Sequence, residues 1–164
     1  MKTKQVQFLT QAAMIAALYV VLTFLANALG LASGIIQVRL SEMLTILPYF
    51  TSAAIPGVTI GCLLSNILTG CSLLDIIFGT FATLLGAAGS YFLRRHKFLV
   101  PLPPIIANTI IVPWILRISY GVPDAIPYMM LTVGIGEIIS CGLLGMILLF
   151  SLDKYKHIIF KQAY

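Results

Sequence analysis

Long apolar stretches fill this chain, separated by short breaks of glycine, proline and charge. A helix needs about 20 apolar residues to cross a bilayer, and the breaks divide the chain into six segments. The first runs from about Phe8 to Gly30, where Gly30 to Gly34 make a flexible exit. The second, about Leu40 to Phe50, is short and carries Pro48, which predicts a bent or broken helix. The third starts after Pro56 and ends at Gly70, and the fourth covers about Leu73 to Phe92. The fifth follows Pro101, Pro103 and Pro104, contains Pro113 and ends near Arg117. The sixth begins after Pro123 and Pro127 and reaches about Leu152.

Composition turns this pattern into a membrane assignment. Of 164 residues, 60% are hydrophobic and 9% charged, with a mean hydropathy of +1.04. A soluble domain of this size has no core large enough for that much apolar surface, whereas lipid solvates it directly. The expectation is an all-α integral membrane protein, one transmembrane domain over residues 1–164 with no separate ATPase or enzyme module. The net charge of +5 sits in three short flanks: Lys2 and Lys4; Arg94, Arg95 and Lys97; Lys154, Lys156 and Lys161. Such flanks are a topology signal, not a nucleic-acid patch. Six helices with both termini cytoplasmic put all three clusters inside and leave Arg39, Asp75, Arg117 and Asp124 at the outer face. The start also has the look of a secretory signal ending at Ala26-Asn27-Ala28, but its apolar run is long enough to cross the membrane, so a retained first helix of a multi-pass cell-membrane protein is expected.

Catalysis finds no support. His96 and His157 lie in the basic flanks, and Cys62, Cys71 and Cys141 lack paired spacing, so neither a metal centre, a cofactor site nor a histidine-assisted nucleophile is expected within the bilayer. No phosphate-binding glycine loop is present, so ATP-driven work must come from another subunit.

Small residues recur every four positions: Gly57, Gly61 and Ser65; Gly79, Thr83, Gly86 and Ser90; Gly134, Glu137, Cys141 and Gly145. Such faces let helix backbones approach closely. Ala12 with Ala16, and Ala13 with Ala17, form a doubled patch near one end of the first helix, open to bundle packing or to a partner protein.

Charges inside a bilayer cost about 2.5 to 3.5 kcal/mol each on insertion scales, which singles out a few residues. Glu137, within Gly134-Ile135-Gly136-Glu137, is the deepest, either a structural carboxyl or an anchor for a ligand or proton. Glu42 follows Arg39 by three residues, so the two either pair on one helix face or meet a solute. Asp75 suits a helix amino terminus and is read first as a cap. Asn66 and Asn108 either bridge helices or read the edge of a heterocycle. Trp114 and Tyr120 fit an interfacial aromatic belt, and Pro113 frees a carbonyl that opens the helix beside Trp114.

At Gln37-Val38-Arg39-Leu40-Ser41-Glu42-Met43-Leu44-Thr45-Ile46-Leu47-Pro48 the chain resembles the QueT family, substrate-binding (S) components of energy-coupling factor transporters linked to queuosine precursors. Ile55-Pro56-Gly57 with Gly61 and Asn66, Asp75 to Gly79 leading into Ala82-Thr83-Leu84, Leu102-Pro103-Pro104 with Asn108, and Gly134 to Glu137 extend the resemblance over almost the whole chain. It implies a six-helix bundle that captures a 7-deazaguanine, such as 7-aminomethyl-7-deazaguanine, or queuine at its outer face. It also implies partners: a transmembrane scaffold subunit and two cytoplasmic ATPases, the scaffold docking on an alanine-x-x-x-alanine patch that Ala12 and Ala16, or Ala13 and Ala17, would supply. Glu42, Glu137, Arg39, Asn66, Asn108, Asp75 and Trp114 are the candidate solute contacts. The rival expectations are an S component for another vitamin, a stand-alone proton-coupled transporter, and a structural subunit without a solute.

Overall fold

The computed structural model describes residues 2–32 and 35–156. Gly34, His157, Lys161 and the carboxyl terminus, all invoked by the sequence pattern, lie outside them, as does the side chain of Lys2. The described residues are helical throughout their regular structure and contain no strand. Helix α1 spans Lys2–Ala28, α2 Ala54–Leu68, α3 Thr80–Phe92, α4 Leu102–Ser119, α5 Ile126–Glu137 and α6 Gly145–Asp153. A π-helical stretch, Asp75–Gly79, leads into α3, and another, Ile138–Leu144, joins α5 to α6. A 3-10 helix covers Leu40–Tyr49.

Four helical stretches are long and apolar enough to cross a membrane: Lys4–Ala28, Asp75–Phe92, Lys97–Ser119 and Ile126–Asp153. Ala54–Leu68 is apolar but shorter, at 15 residues. Large apolar side chains point outward along these helices, Leu9, Val21, Ile67 and Ile147 among them. That inversion of a soluble surface is what lipid demands.

The 3-10 helix sits at the centre, packed against α1, α2, α3, α6 and the Ile138–Leu144 stretch. Ser41, Glu42 and every residue from Leu44 to Pro48 are buried. At about 2.0 Å rise per residue it advances only about 20 Å, less than the roughly 30 Å hydrocarbon core. Pro48 and the tight winding are tolerated because protein, not lipid, surrounds the segment. The outer helices pack in chain order, α1 on α2, α2 on α3, α3 on α4 and α4 on α5.

The small-residue stripe of α2 packs on α1. A Cβ on Gly57 would lie 2.9 Å from the Ala12 carbonyl oxygen, and one on Gly61 would lie 2.6 Å from Cβ of Tyr19. Ala12 and Ala16 are therefore bundle residues, 6% and 7% exposed, while Ala13 and Ala17 face outward. The doubled alanine patch is two faces with different neighbours.

At one end of the bundle, α1 and α2 stop in the same way. Gly30 (φ 70°) donates its N–H to the Asn27 carbonyl while Leu31 donates to Ala26. Gly70 (φ 73°) donates to Ile67 while Cys71 donates to Asn66. Both are left-handed glycine caps that satisfy the last carbonyls. At the opposite end, Asp153 pairs with Lys97 at 2.5 Å and with Lys156 at 3.1 Å, tying the α3–α4 turn to the end of α6. Lys4 and Arg94 lie together at this end too, so the described parts of all three basic clusters gather on one side of the bundle.

Candidate functional site

A cavity of about 400 Å³ opens at the glycine-capped end. It is walled by Tyr19, Thr23 and Asn27 of α1, Gln37, Arg39 and Ser41 ahead of and within the 3-10 helix, and Ser65, Asn66 and Thr69 of α2. Asp75 and Tyr120 complete it. The volume falls in the range of pockets for small organic ligands.

Local hydrogen bonding holds Asp75 at the wall. The Ser72 hydroxyl accepts the Asp75 backbone N–H at 3.2 Å, so Ser72 caps the turn and the Asp75 carboxylate does not. This corrects the capping assignment: a Ser-x-x-Asp spacing fits either residue as the cap, and the hydroxyl takes the role. Instead, Oδ2 of Asp75 accepts a hydrogen bond from the Tyr120 hydroxyl at 3.1 Å, and that hydroxyl accepts the Ser72 N–H, also at 3.1 Å. Burial, together with the adjacent Asp75 carboxylate, holds the Tyr120 hydroxyl above its ordinary pKa, against the lowering effect of the Ser72 N–H. Tyr120 thus remains a neutral donor. Oδ1 of Asp75 is buried and has no hydrogen-bond partner. Asn66 donates through Nδ2 to the Asp75 carbonyl at 3.3 Å.

Arg39 precedes the 3-10 helix in extended conformation, its N–H donating to Oγ of Ser140 at 3.1 Å. Among the described residues it forms no ion pair with Glu42, so the i,i+3 pair drawn from sequence does not close. The extended backbone at Arg39 takes it off the face that carries Glu42. Its positive charge lies within electrostatic reach of both Asp75 and Glu42.

Behind Tyr19 lies a second polar group. Glu42 is fully buried, and its Oε1 accepts the Tyr19 hydroxyl at 2.5 Å while Oε2 has no partner. Glu137 is also buried, and its Oε2 accepts from Sγ of Cys141 at 3.3 Å. One carboxylate oxygen of each glutamate and the Cys141 sulfur all lie within 4.8 Å of one another. Asn108, 2% exposed, has its amide beside both carboxylates, although Nδ2 completes no hydrogen bond. Such spacing would also suit three ligands of one cation. The Cys141 thiol, however, is already satisfied by Glu137 and by the Glu42 carbonyl at 3.4 Å. Gly136 makes room for the backbone that leads to Arg39, since a Cβ there would overlap the Gln37 carbonyl.

The candidates drawn from sequence thus fall into two groups. Arg39, Asn66 and Asp75 meet in the cavity wall, and Glu42, Glu137 and Asn108 form a buried cluster next to it. Trp114 joins neither, because it is 51% exposed on the outer face of α4. Tyr19 and Tyr120, which link the groups and position Asp75, are not singled out by sequence as site residues. A tyrosine lodged in an apolar run does carry a signal, because its hydroxyl needs a partner once buried.

A family model described as QueT transporter matches residues 9–154. The queuosine precursor transporter QueT of Lactococcus lactis subsp. cremoris (strain MG1363) is 39% identical over 84 residues, covering 51% of this chain and 49% of that relative. The chain thus aligns with about half the length of this curated relative. No solved structure matches the chain.

Proposed function

The chain belongs to the QueT transporter family, and from that premise we propose that it is the substrate-capture (S) component of an energy-coupling factor importer for a queuosine precursor. The ligand class is a 7-deazaguanine such as 7-aminomethyl-7-deazaguanine, or queuine. The observation that carries this reading is the cavity lined by Arg39, Asn66 and Asp75, with two further carboxylates behind Tyr19.

A guanine-like edge presents an N–H beside an amino group, which a carboxylate accepts; Asp75 offers that acceptor at the wall. Arg39 or Asn66 meets the ring carbonyl. An aminomethyl cation belongs with the Glu42–Glu137 side, past Tyr19, where low dielectric strengthens the attraction. Support for a six-span arrangement in the plasma membrane comes from the four long apolar helices, the shorter α2 and the enclosed 3-10 helix. The basic end is assigned to the cytoplasm by the positive-inside rule, which turns the cavity outward. Energy would come from a scaffold subunit and two cytoplasmic ATPases, with the exposed Ala13 and Ala17 face of α1 as the docking surface.

Calorimetric titration of the purified chain with deazapurines, purines and vitamins tests the ligand class. Tight binding of a 7-deazaguanine with weak binding of guanine and of thiamine or riboflavin is the expected result. A preference for a vitamin, or no solute bound at all, overturns it. Uptake in cells lacking scaffold and ATPase subunits would replace the S-component reading with a stand-alone transporter.

A further inference from the structure

A second cavity, of about 270 Å³, opens at the basic end of the bundle, between the first turns of α1, the Phe50–Ser52 turn and the end of α3. Lys4 and Arg94 flank it, with Gln7, Gln11 and Ser52 as further polar groups. Thr51 closes its floor, and its hydroxyl donates to Oε1 of Gln11 at 3.0 Å, which leaves the Gln11 amide nitrogen as a donor. Among the described residues no acidic side chain lines the cavity. Of the five acidic residues in the chain, Asp153 is the one at this end, and it is already shared by Lys97 and Lys156. Among the described residues neither Lys4 nor Arg94 belongs to an ion pair, and Arg94 rests on the Tyr91 ring at 4.2 Å. Two cations and a set of neutral donors thus face one space with no counter-charge among the described residues.

The surroundings indicate what supplies it. Phe8 lines the cavity at 43% exposure, and Val6 and Leu9 beside it are more exposed still. Such a wall stands in acyl chains, so the mouth lies where apolar surface gives way to charge, at headgroup level. We propose that this cavity binds the phosphate of an anionic phospholipid headgroup. A zwitterionic lipid fits less well, because its own cation would be brought against Lys4 and Arg94. Neutral donors and two cations around one phosphate match the oxygen-rich, singly charged diester.

The test uses the full-length purified chain and two lipids with identical acyl chains, phosphatidylglycerol and phosphatidylcholine, read by lipid retention in native mass spectrometry and by thermal shift. Each basic residue near an anionic surface contributes about 1 kcal/mol, roughly five-fold, so the wild type should prefer phosphatidylglycerol by roughly thirty-fold. Lys4→Gln with Arg94→Gln should lose most of that preference. Arg95→Gln, which removes an exposed charge outside the cavity, and Arg94→Lys, which keeps the charge, should retain it. Equal retention of the two lipids by the wild type overturns the proposal, and so does an equal loss in Arg95→Gln, which would mean diffuse surface charge. Protection by glycerol phosphate as strong as by the lipid would make this a site for a soluble anion instead. Absence of lipid preference, with the double variant unable to join its partner subunits, would make the cavity a protein-facing surface.

Discussion

The two carboxylate oxygens of Asp75 have different roles. Oδ2 is held by the Tyr120 hydroxyl, and Oδ1 is buried beside Gly79 with no protein donor. A buried acceptor without a partner carries a desolvation cost that a ligand donor would recover. Asp75→Asn preserves the size and leaves one acceptor for Tyr120, but it removes the charge. Hydrogen bonds to charged groups contribute about 1.5 to 3 kcal/mol, so solute affinity should fall roughly ten- to a hundred-fold. Calorimetry on a variant with unchanged thermal unfolding checks this, and near-normal affinity would remove Asp75 from the site. Glu42→Gln and Glu137→Gln should weaken an aminomethyl ligand more than its analogue lacking the amine. Equal losses for both ligands would place the amine elsewhere. Glu42 and Glu137 are legible in the sequence because a carboxyl in an apolar run is costly unless used. Tyr19 is legible only as a hydroxyl in need of a partner, since its sequence context reads the same whether that hydroxyl reaches the headgroups or a buried carboxylate. The role of Asp75 is misread for a different reason: which member of Ser72-x-x-Asp75 caps the turn depends on side-chain rotamers that spacing leaves open.

Between elements, the contact of α1 with α2 separates the two alanine pairs. Ala12 and Ala16 face Gly57 and Gly61 across a gap with no space for a larger side chain. Leucine at Ala12 or Ala16 should destabilise the bundle by about 1 to 3 kcal/mol through overpacking, seen as a lower Tm in detergent. Leucine at Ala13 or Ala17 should leave Tm and solute affinity unchanged and abolish uptake by the assembled transporter. If affinity and uptake fall together in the second pair, that face carries no docking role. A four-residue spacing announces a flat face, as both alanine pairs and the Gly57-Gly61-Ser65 stripe do, but it does not say which neighbour the face meets. Sequence likewise shows that the Leu40–Tyr49 segment is short and interrupted by Pro48. Its place at the centre depends on contacts with helices far along the chain. The π-helical stretches at Asp75–Gly79 and Ile138–Leu144 have no local signature, yet each begins at or next to an acidic residue of the site.

For the whole molecule, the sequence pattern anticipates a common side for the basic flanks, and the structure brings their described parts to one end. The side of the membrane they face is testable with a cysteine placed at His96, which is exposed in the α3–α4 turn, after replacing Cys62, Cys71 and Cys141. Impermeant maleimide should label position 96 only after the cells are opened, and position 27, at the cavity, in intact cells. The reverse pattern would invert the bundle and with it the direction of capture. The cavity volume and the second, basic cavity are not readable from sequence, because both are spaces between helix ends and depend on how far each helix runs before its cap.

The enclosed 3-10 helix also constrains how the protein is made. During synthesis the Leu40–Tyr49 segment follows α1 out of the ribosome, before most of the described helices that surround it exist. With Glu42 in its first turn and only about 20 Å of length, the segment is a poor candidate for lateral release into lipid on its own. It must wait at the aqueous boundary or inside the insertion machinery until α3 and the Ile138–Leu144 stretch with α6 arrive to enclose it. Of the described helices that contact the segment, α6 is the last to be synthesised, and it completes the enclosure. A chain arrested at residue 125 should leave a cysteine at position 42 open to water-soluble maleimide, and the completed chain should protect it. Protection already present in the arrested chain would show that the segment inserts without its later walls.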